Sequence, residues 1–243
     1  MMTRQRADRL LVERGLFESR AKAQAAIEAG LVRANDAMVR KPSEVIATDA
    51  ILQASAAHPY VSRAGVKLAA ALDHFDFDPK DRTCLDVGAS TGGFTQVLLE
   101  RGAKRVIAVD VGHGQLHPSL SARPDVLALE GTDIRTLSPA QLGEPPDLVV
   151  VDVSFISLKL VLPAAFALAK VPAQVVALIK PQFEAGRAAL KRGIVRDPAV
   201  HAAVYNDISK FITTLGWHVL GIEPSPITGG DGNAEFLIGA DKQ

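Results

Sequence analysis

From Arg82 onward, short runs rich in Val, Ile and Leu alternate with helical patterns; the runs cover residues 83–87, 105–109, 126–130, 148–152, 175–180, 217–222 and 235–238. Such alternation predicts an α/β fold, a mostly parallel sheet with helices on both faces. Ligands in that architecture bind beyond the carboxyl ends of the strands, near the point where strand order reverses. A chain of 243 residues with 48% hydrophobic composition has room for one full domain and a small second one.

The first run ends in LDVGASTGGFT, residues 85–95, and a helical pattern, QVLLE, follows directly. Gly88, Gly92 and Gly93 permit a tight turn and a close backbone approach to a flat, polar ligand. A dinucleotide fingerprint would need glycine where Ser90 stands, because that glycine admits a pyrophosphate. S-adenosylmethionine (SAM) has no phosphate to accommodate. Asp110 ends the second run, where a carboxylate accepts from ribose hydroxyls, and Asp133 follows the third, where one can accept from an adenine amino group. The expected cofactor wall is Asp86, Gly88, Ser90, Gly92, Gly93, Phe94, Asp110, Asp133 and Asp152. Phe94, Phe155 and Phe183 are expected to pack in the core, with base stacking as the alternative.

Two lysines and two carboxylates fall where this fold can gather them. Lys67 lies on the apolar stripe Ala64, Leu68, Ala71, Leu72 and Phe75 of a helix predicted over 63–75 and should point inward; a snorkelling amine is the alternative. Asp152 ends VVVD, Lys180 ends VVALIK just before Pro181, and Glu235 opens the last run after a glycine-rich turn. Together they suit deprotonation of a sugar hydroxyl. Lys180 is the candidate base, with stabilisation of a growing alkoxide as its other role.

Residues 6–29 hold two short helical patterns, the second opening at Ser19 as N-cap and closing at Gly30. A strand pair around Asn35-Asp36 follows, then a strand over 45–52. Residues 54–61, with His58-Pro59, form the linker between an N-terminal α+β domain over 4–53 and a large domain over 62–243. The whole chain is charge-balanced, 27 basic against 27 acidic residues, so any nucleic-acid surface must come from local segregation. Arg4, Arg6, Arg9, Arg20, Lys22, Arg33, Arg40 and Lys41 can form such a stripe on the small domain. Arg187, Lys191, Arg192 and Arg196 can form a basic loop beside the site; a merely solvated face is the alternative for both.

The arrangement RLLVERGLFESRAKAQAAIEAGLVRAND resembles the S-four-type RNA-binding domain. With LDVGASTGGFT, KPQFEAGR and GNAEFLI, the chain resembles the FtsJ/TlyA-like ribose 2'-O-methyltransferases, most closely the TlyA-like members. That resemblance implies a Rossmann-like SAM-dependent fold, a Lys67-Asp152-Lys180-Glu235 tetrad and cytidine 2'-O-methylation of ribosomal RNA, free or in subunits. Several family members carry the label hemolysin. A non-catalytic ribosome-assembly factor, a dinucleotide oxidoreductase and a cytolysin are the rival readings. No apolar segment long enough to span a membrane is expected, nor a metal site, since His113 and His117 lack further spaced ligands. The lone Cys84 is expected to be a buried apolar residue of a reduced, cytoplasmic protein.

Overall fold

The structure is a computed structural model that describes residues 3–229 and 232–243. The chain divides into two units, Met1–Pro59 and Tyr60–Gln243. The first contains β1 (Arg4–Arg6), α1 (Ala7–Glu13), α2 (Arg20–Glu28), β2 (Val32–Ala34), β3 (Ala37–Met38), β4 (Val45–Ala47) and β5 (Leu52–Ala54). Its core is formed by Leu10, Leu11, Ala23, Ile27, Val32, Val39 and Ile46 among others. Ser19 caps α2 as its position predicts, its hydroxyl accepting from the Lys22 amide at 3.3 Å. Asn35 and Asp36 form the two-residue hairpin loop with φ of 47° and 64°, the left-handed pair that matches strand twist.

One expectation for this unit is corrected. Residues 45–52 form two strands, not one: β4 pairs antiparallel with β1, whereas β5 pairs antiparallel with β2 in another sheet. The chain turns at residues 48–50, where Ala50 donates to the Ala47 carbonyl and Thr48 to that of Thr3. The polar partner Arg4-Gln5-Arg6 offers no hydrophobic alternation that would reveal β1 in advance.

The second unit runs α3 (Ala64–Phe75), β6 (Thr83–Val87), α4 (Gly93–Glu100), β7 (Arg105–Val109), α5 (Pro118–Ser121), β8 (Val126–Leu129), α6 (Pro139–Leu142) and β9 (Leu148–Val151). It continues with α7 (Leu158–Leu168), β10 (Ala173–Ile179), α8 (Pro181–Glu184), α9 (Pro198–Thr214), β11 (His218–Pro224) and β12 (Phe236–Lys242). The seven strands lie in the order β11-β12-β10-β9-β6-β7-β8. Strands β8, β7, β6, β9 and β10 are mutually parallel, and β12 enters antiparallel between β10 and β11. Strand order therefore reverses between β6 and β9.

Both faces of the sheet are covered, which explains the apolar runs. Val149 and Val151 of β9 pack into a cluster with Leu85, Ile107, Leu162 and Ile208. Leu148 and Val150, pointing the other way, join Leu68, Leu72, Phe94 and Leu98. Cys84 is fully buried in that second cluster, and loss of water pushes its thiol up to about 12.

Candidate active site

The turn after β6 is built by conformation and by close approach. Gly88 has φ of +86°, and a Cβ there would collide with the carbonyl oxygen of Asp152, just past the end of the neighbouring strand β9. The register that pairs Val87 with Val151 puts Gly88 and Asp152 side by side, and the Asp152 amide donates to the Val87 carbonyl at 2.9 Å. Ser90 adopts φ of +48°, and its amide donates to Asp110 Oδ2 at 2.8 Å. Asp110 Oδ1 accepts from the Gly112 amide at 2.7 Å. Two backbone amides thus fix the carboxylate at the end of β7 and leave further lone pairs to accept.

A cavity of about 360 Å³ opens at this switch point, lined by Gly88, Ser90, Asp110, Asp133, Asp152, Phe155 and other residues. Its size lies in the ordinary range for small-molecule sites, about 300–1,000 Å³. A second cavity of about 160 Å³ is lined by Ala64, Thr91, Phe94 and Lys180. Gly88, Ser90, Asp152 and Ser154 border both, so the two spaces meet along that wall.

Lys180 ends β10. Its ammonium lies 2.6 Å from Asp152 Oδ1, off the hydrogen-bond direction, and donates to Ser154 Oγ at 2.8 Å. Lys67 and Glu235 form a separate ion pair, Nζ to Oε2 at 2.5 Å, both buried. The ladder that pairs Ile179 with Phe236 places Lys180 opposite Glu235 one step further on. Strand register therefore brings Asp152, Lys180 and Glu235 to one sheet edge, and α3 delivers Lys67 to the same carboxylate. Lys180 and Asp152 border cavity space; Lys67 and Glu235 border neither cavity. Lys67 does not snorkel, being 6% exposed. Part of the glycine-rich turn before Glu235, residues 230–231, lies outside the described residues.

The remaining members of the expected cofactor wall divide. Asp86 is fully buried and borders neither cavity; its Oδ2 accepts from the Thr95 hydroxyl at 2.7 Å. Burial raises its carboxyl to about 7, with the Asp152 and Asp110 charges adding to the effect and Thr95 opposing it. Gly92 and Gly93 face inward: Cβ atoms there would strike Leu120 and Ser62, respectively. Asp133 does line the cavity, but both its oxygens receive the Arg135 guanidinium, whose hydrogen bonds hold that carboxyl below the usual range. Phe94 is core. The core expectation fails for Phe155, which is 90% exposed with φ of +64° and its ring 4.9 Å from that of Phe183. A chain forced into the left-handed region just past a buried strand turns the ring outward.

Of the basic residues, Arg6 and Arg20 both bind the buried Asp8, Lys22 pairs with Glu18, and Arg33 and Arg4 donate to the carbonyls of Asp36 and Val45. Arg9, Arg40 and Lys41 are exposed, as are Lys191, Arg192 and Arg196 of the second unit. The Arg187 side chain lies outside the described residues. Asn233 ties down the turn that carries Lys191 and Arg192: its Oδ1 accepts from the Val195 amide and its Nδ2 donates to the Gly193 carbonyl, both at 3.3 Å.

Ser154 and Glu184 escaped the sequence reading. Ser154 sits two residues beyond Asp152, a spacing that keeps both on one side of an extended chain, which is the signal that would have found it. Glu184 reaches back to cap α7, accepting from the Leu158 amide at 2.7 Å and from the Ser157 hydroxyl at 2.6 Å. Burial raises its carboxyl despite these donors. Its role is legible only once α8 and the start of α7 are seen side by side.

A mostly parallel sheet with a glycine-built turn at its switch point, two fixed carboxylates and a lysine across a shared wall defines a Rossmann-like methyltransferase domain. Residues 60–242 match the family model described as FtsJ-like methyltransferase, and residues 5–51 match that of the S4 domain; the chain belongs to the FtsJ-like methyltransferase family. It is 44% identical over 241 residues to the 16S/23S rRNA (cytidine-2'-O)-methyltransferase TlyA of Mycobacterium tuberculosis, covering 98% of this chain and 90% of that one. Hemolysin A of Brachyspira hyodysenteriae is 38% identical, covering 96% and 98%. A solved structure from Streptococcus thermophilus that carries the hemolysin label covers 100% of this chain and 90% of its own, at 42% identity and TM-score 0.80.

Proposed function

We propose that this protein transfers the methyl group of SAM to the 2'-hydroxyl of cytidine ribose in ribosomal RNA. The observation that carries this reading is the wall shared by the two cavities: Asp152 and Ser154 border both a space suited to a nucleoside-like cofactor and a space reached by Lys180. The fit to the cofactor rests on the Gly88 cradle, which excludes even a Cβ, and on acceptors suited to a nucleoside. Asp110 would receive ribose hydroxyls, Gly88 would let the ligand approach the backbone, and Asp133, shared with Arg135, would border the base. When bound, SAM supplies a methyl group activated by its sulfonium.

The protein's own residues then have to orient a hydroxyl and manage its proton. Lys180 donates a hydrogen bond toward the ribose oxygen and stabilises the negative charge that grows there as the hydroxyl proton passes to solvent water. Asp152 holds the Lys180 ammonium in place from within ion-pair distance. Glu235 and Lys67 form the buried support behind it. Phe155, at the rim of the larger cavity with its ring turned to solvent beside Phe183, stacks on a base of the acceptor RNA. The N-terminal S4 domain and the Lys191-Arg192 turn hold the RNA backbone. Two of the closer relatives are named for the hemolysin label, but the Gly88 cradle and the amine at a strand end serve group transfer and have no task in lysis.

The test incubates purified protein with methyl-labelled SAM and either naked ribosomal RNA or ribosomal subunits. Label recovered on a cytidine 2'-oxygen supports the reading. Label on a base, or none on either substrate, contradicts it.

A further inference from the structure

Asp8 is the only fully buried acid of the N-terminal unit among the described residues, and it sits on a face expected to meet RNA. Arg6 binds it with two parallel hydrogen bonds, Nε to Oδ1 and Nη2 to Oδ2, each at 3.0 Å. Arg20, the first residue of α2, adds Nη2 and Nε to the same Oδ2 at 2.7 and 3.3 Å. Gln24, one turn further along α2, donates Nε2 to that oxygen at 2.8 Å. The carboxylate is inaccessible, whereas the Arg6 and Arg20 side chains are 40% and 47% exposed. Its pairing is strong enough to hold the Asp8 carboxyl far below the usual carboxylate range, the Arg6 hydrogen bonds being the largest cause.

The geometry has two consequences. Both Nη2 atoms touch one oxygen, so the two guanidinium groups are held side by side within reach of a single phosphate. Neither Nη1 makes a hydrogen bond among the described residues, and both side chains are partly exposed, so each guanidinium keeps unused donors. Two cations around one anion leave a net positive charge at the surface. Arginine chains otherwise lose considerable rotamer freedom when they grip a ligand, and here that ordering is already done within the fold. Planar, fixed donors are also the arrangement that matches phosphate oxygens.

We propose that Asp8 raises RNA affinity, although it is acidic, by locking Arg6 and Arg20 into one fork for an RNA phosphodiester. This rests on reading the N-terminal unit as an RNA-binding module. The sign is what makes the idea testable. Simple charge counting says that removing an acid from such a face tightens RNA binding, whereas loss of the fork weakens it.

Binding of purified ribosomal RNA to the full-length chain should be followed across a salt titration for wild type, Asp8→Asn and Arg20→Lys. Thermal unfolding of each variant reports whether the N-terminal unit remains folded. Asp8→Asn is expected to lower affinity about 10-fold and to flatten the dependence of log K on log salt by about one phosphate contact. Arg20→Lys keeps the charge, the buried acid and its Arg6 and Gln24 partners, so it serves even if Asp8→Asn unfolds; it should weaken binding similarly. Wild-type binding that is equalled or exceeded by either folded variant overturns the fork while leaving the RNA-binding reading intact. A wild type with no salt-dependent affinity for ribosomal RNA overturns that reading, and the fork with it.

Discussion

Lys67 and Glu235 stand 168 residues apart in the chain, and their charged ends meet at 2.5 Å inside the protein. The pair joins the helix that precedes the sheet to the strand that closes it. Removing one partner of such a pair costs about 3–5 kcal/mol, because the other is left buried and charged, while replacing both with apolar side chains of similar size is often neutral. Glu235→Gln should therefore lower stability by about 3 kcal/mol or more. The double variant Lys67→Met/Glu235→Leu should recover most of that loss yet remain inactive. Urea unfolding alongside a methyl-transfer assay checks both halves; an active double variant would show that the pair only holds the fold together.

Asp86 predicts a pH effect with a definite sign. Its carboxyl is raised from 3.8 to about 7, chiefly by burial. Between those values the folded chain holds a proton that the unfolded chain has released. Stability from this group is therefore full at low pH, falls as pH rises toward 7, and is flat above. The total change is on the order of a few kcal/mol. Asp86→Asn, neutral at every pH, should remove this slope and unfold at higher urea than the parent near pH 8. Parallel profiles for parent and variant from about pH 5 to pH 8 would refute the assignment.

Phe155 predicts a split between binding and chemistry. Stacking on one base contributes about 1–3 kcal/mol, so Phe155→Ala should raise the KM for RNA roughly 10-fold. SAM affinity should change by less than a few fold. Steady-state kinetics with varied RNA, together with calorimetric SAM titration, measures the two separately. A lost SAM affinity with unchanged KM for RNA would assign the ring to the cofactor side instead.

The strand ends were legible in the sequence because strands buried on both faces read as apolar runs, so a charge at the end of one, as at Asp152 or Lys180, marks the edge where ligands bind. Lys67 was legible from its place on an apolar helical stripe. The antiparallel entry of β12 left no such mark, since an apolar strand reads the same in either direction. Asp86 has the residue type and spacing of a cofactor contact, and only the packing of Thr95 against it reveals that it faces inward. Phe155 failed for a related reason: hydrophobicity favours the core, whereas the positive φ that turns the ring outward has no signature in the side chain itself. Ser90 is the converse case, a serine holding a left-handed turn position where glycine would be cheaper.

The measurement that bears most directly on the whole account is Lys180→Ala, examined by SAM titration and by single-turnover methyl transfer to ribosomal RNA. Lys180 borders the smaller cavity, beyond the wall it shares with the cofactor-sized one, so SAM affinity should stay within a few fold of wild type while transfer to the 2'-oxygen is abolished. Retained turnover, or SAM binding lost together with activity, would contradict it.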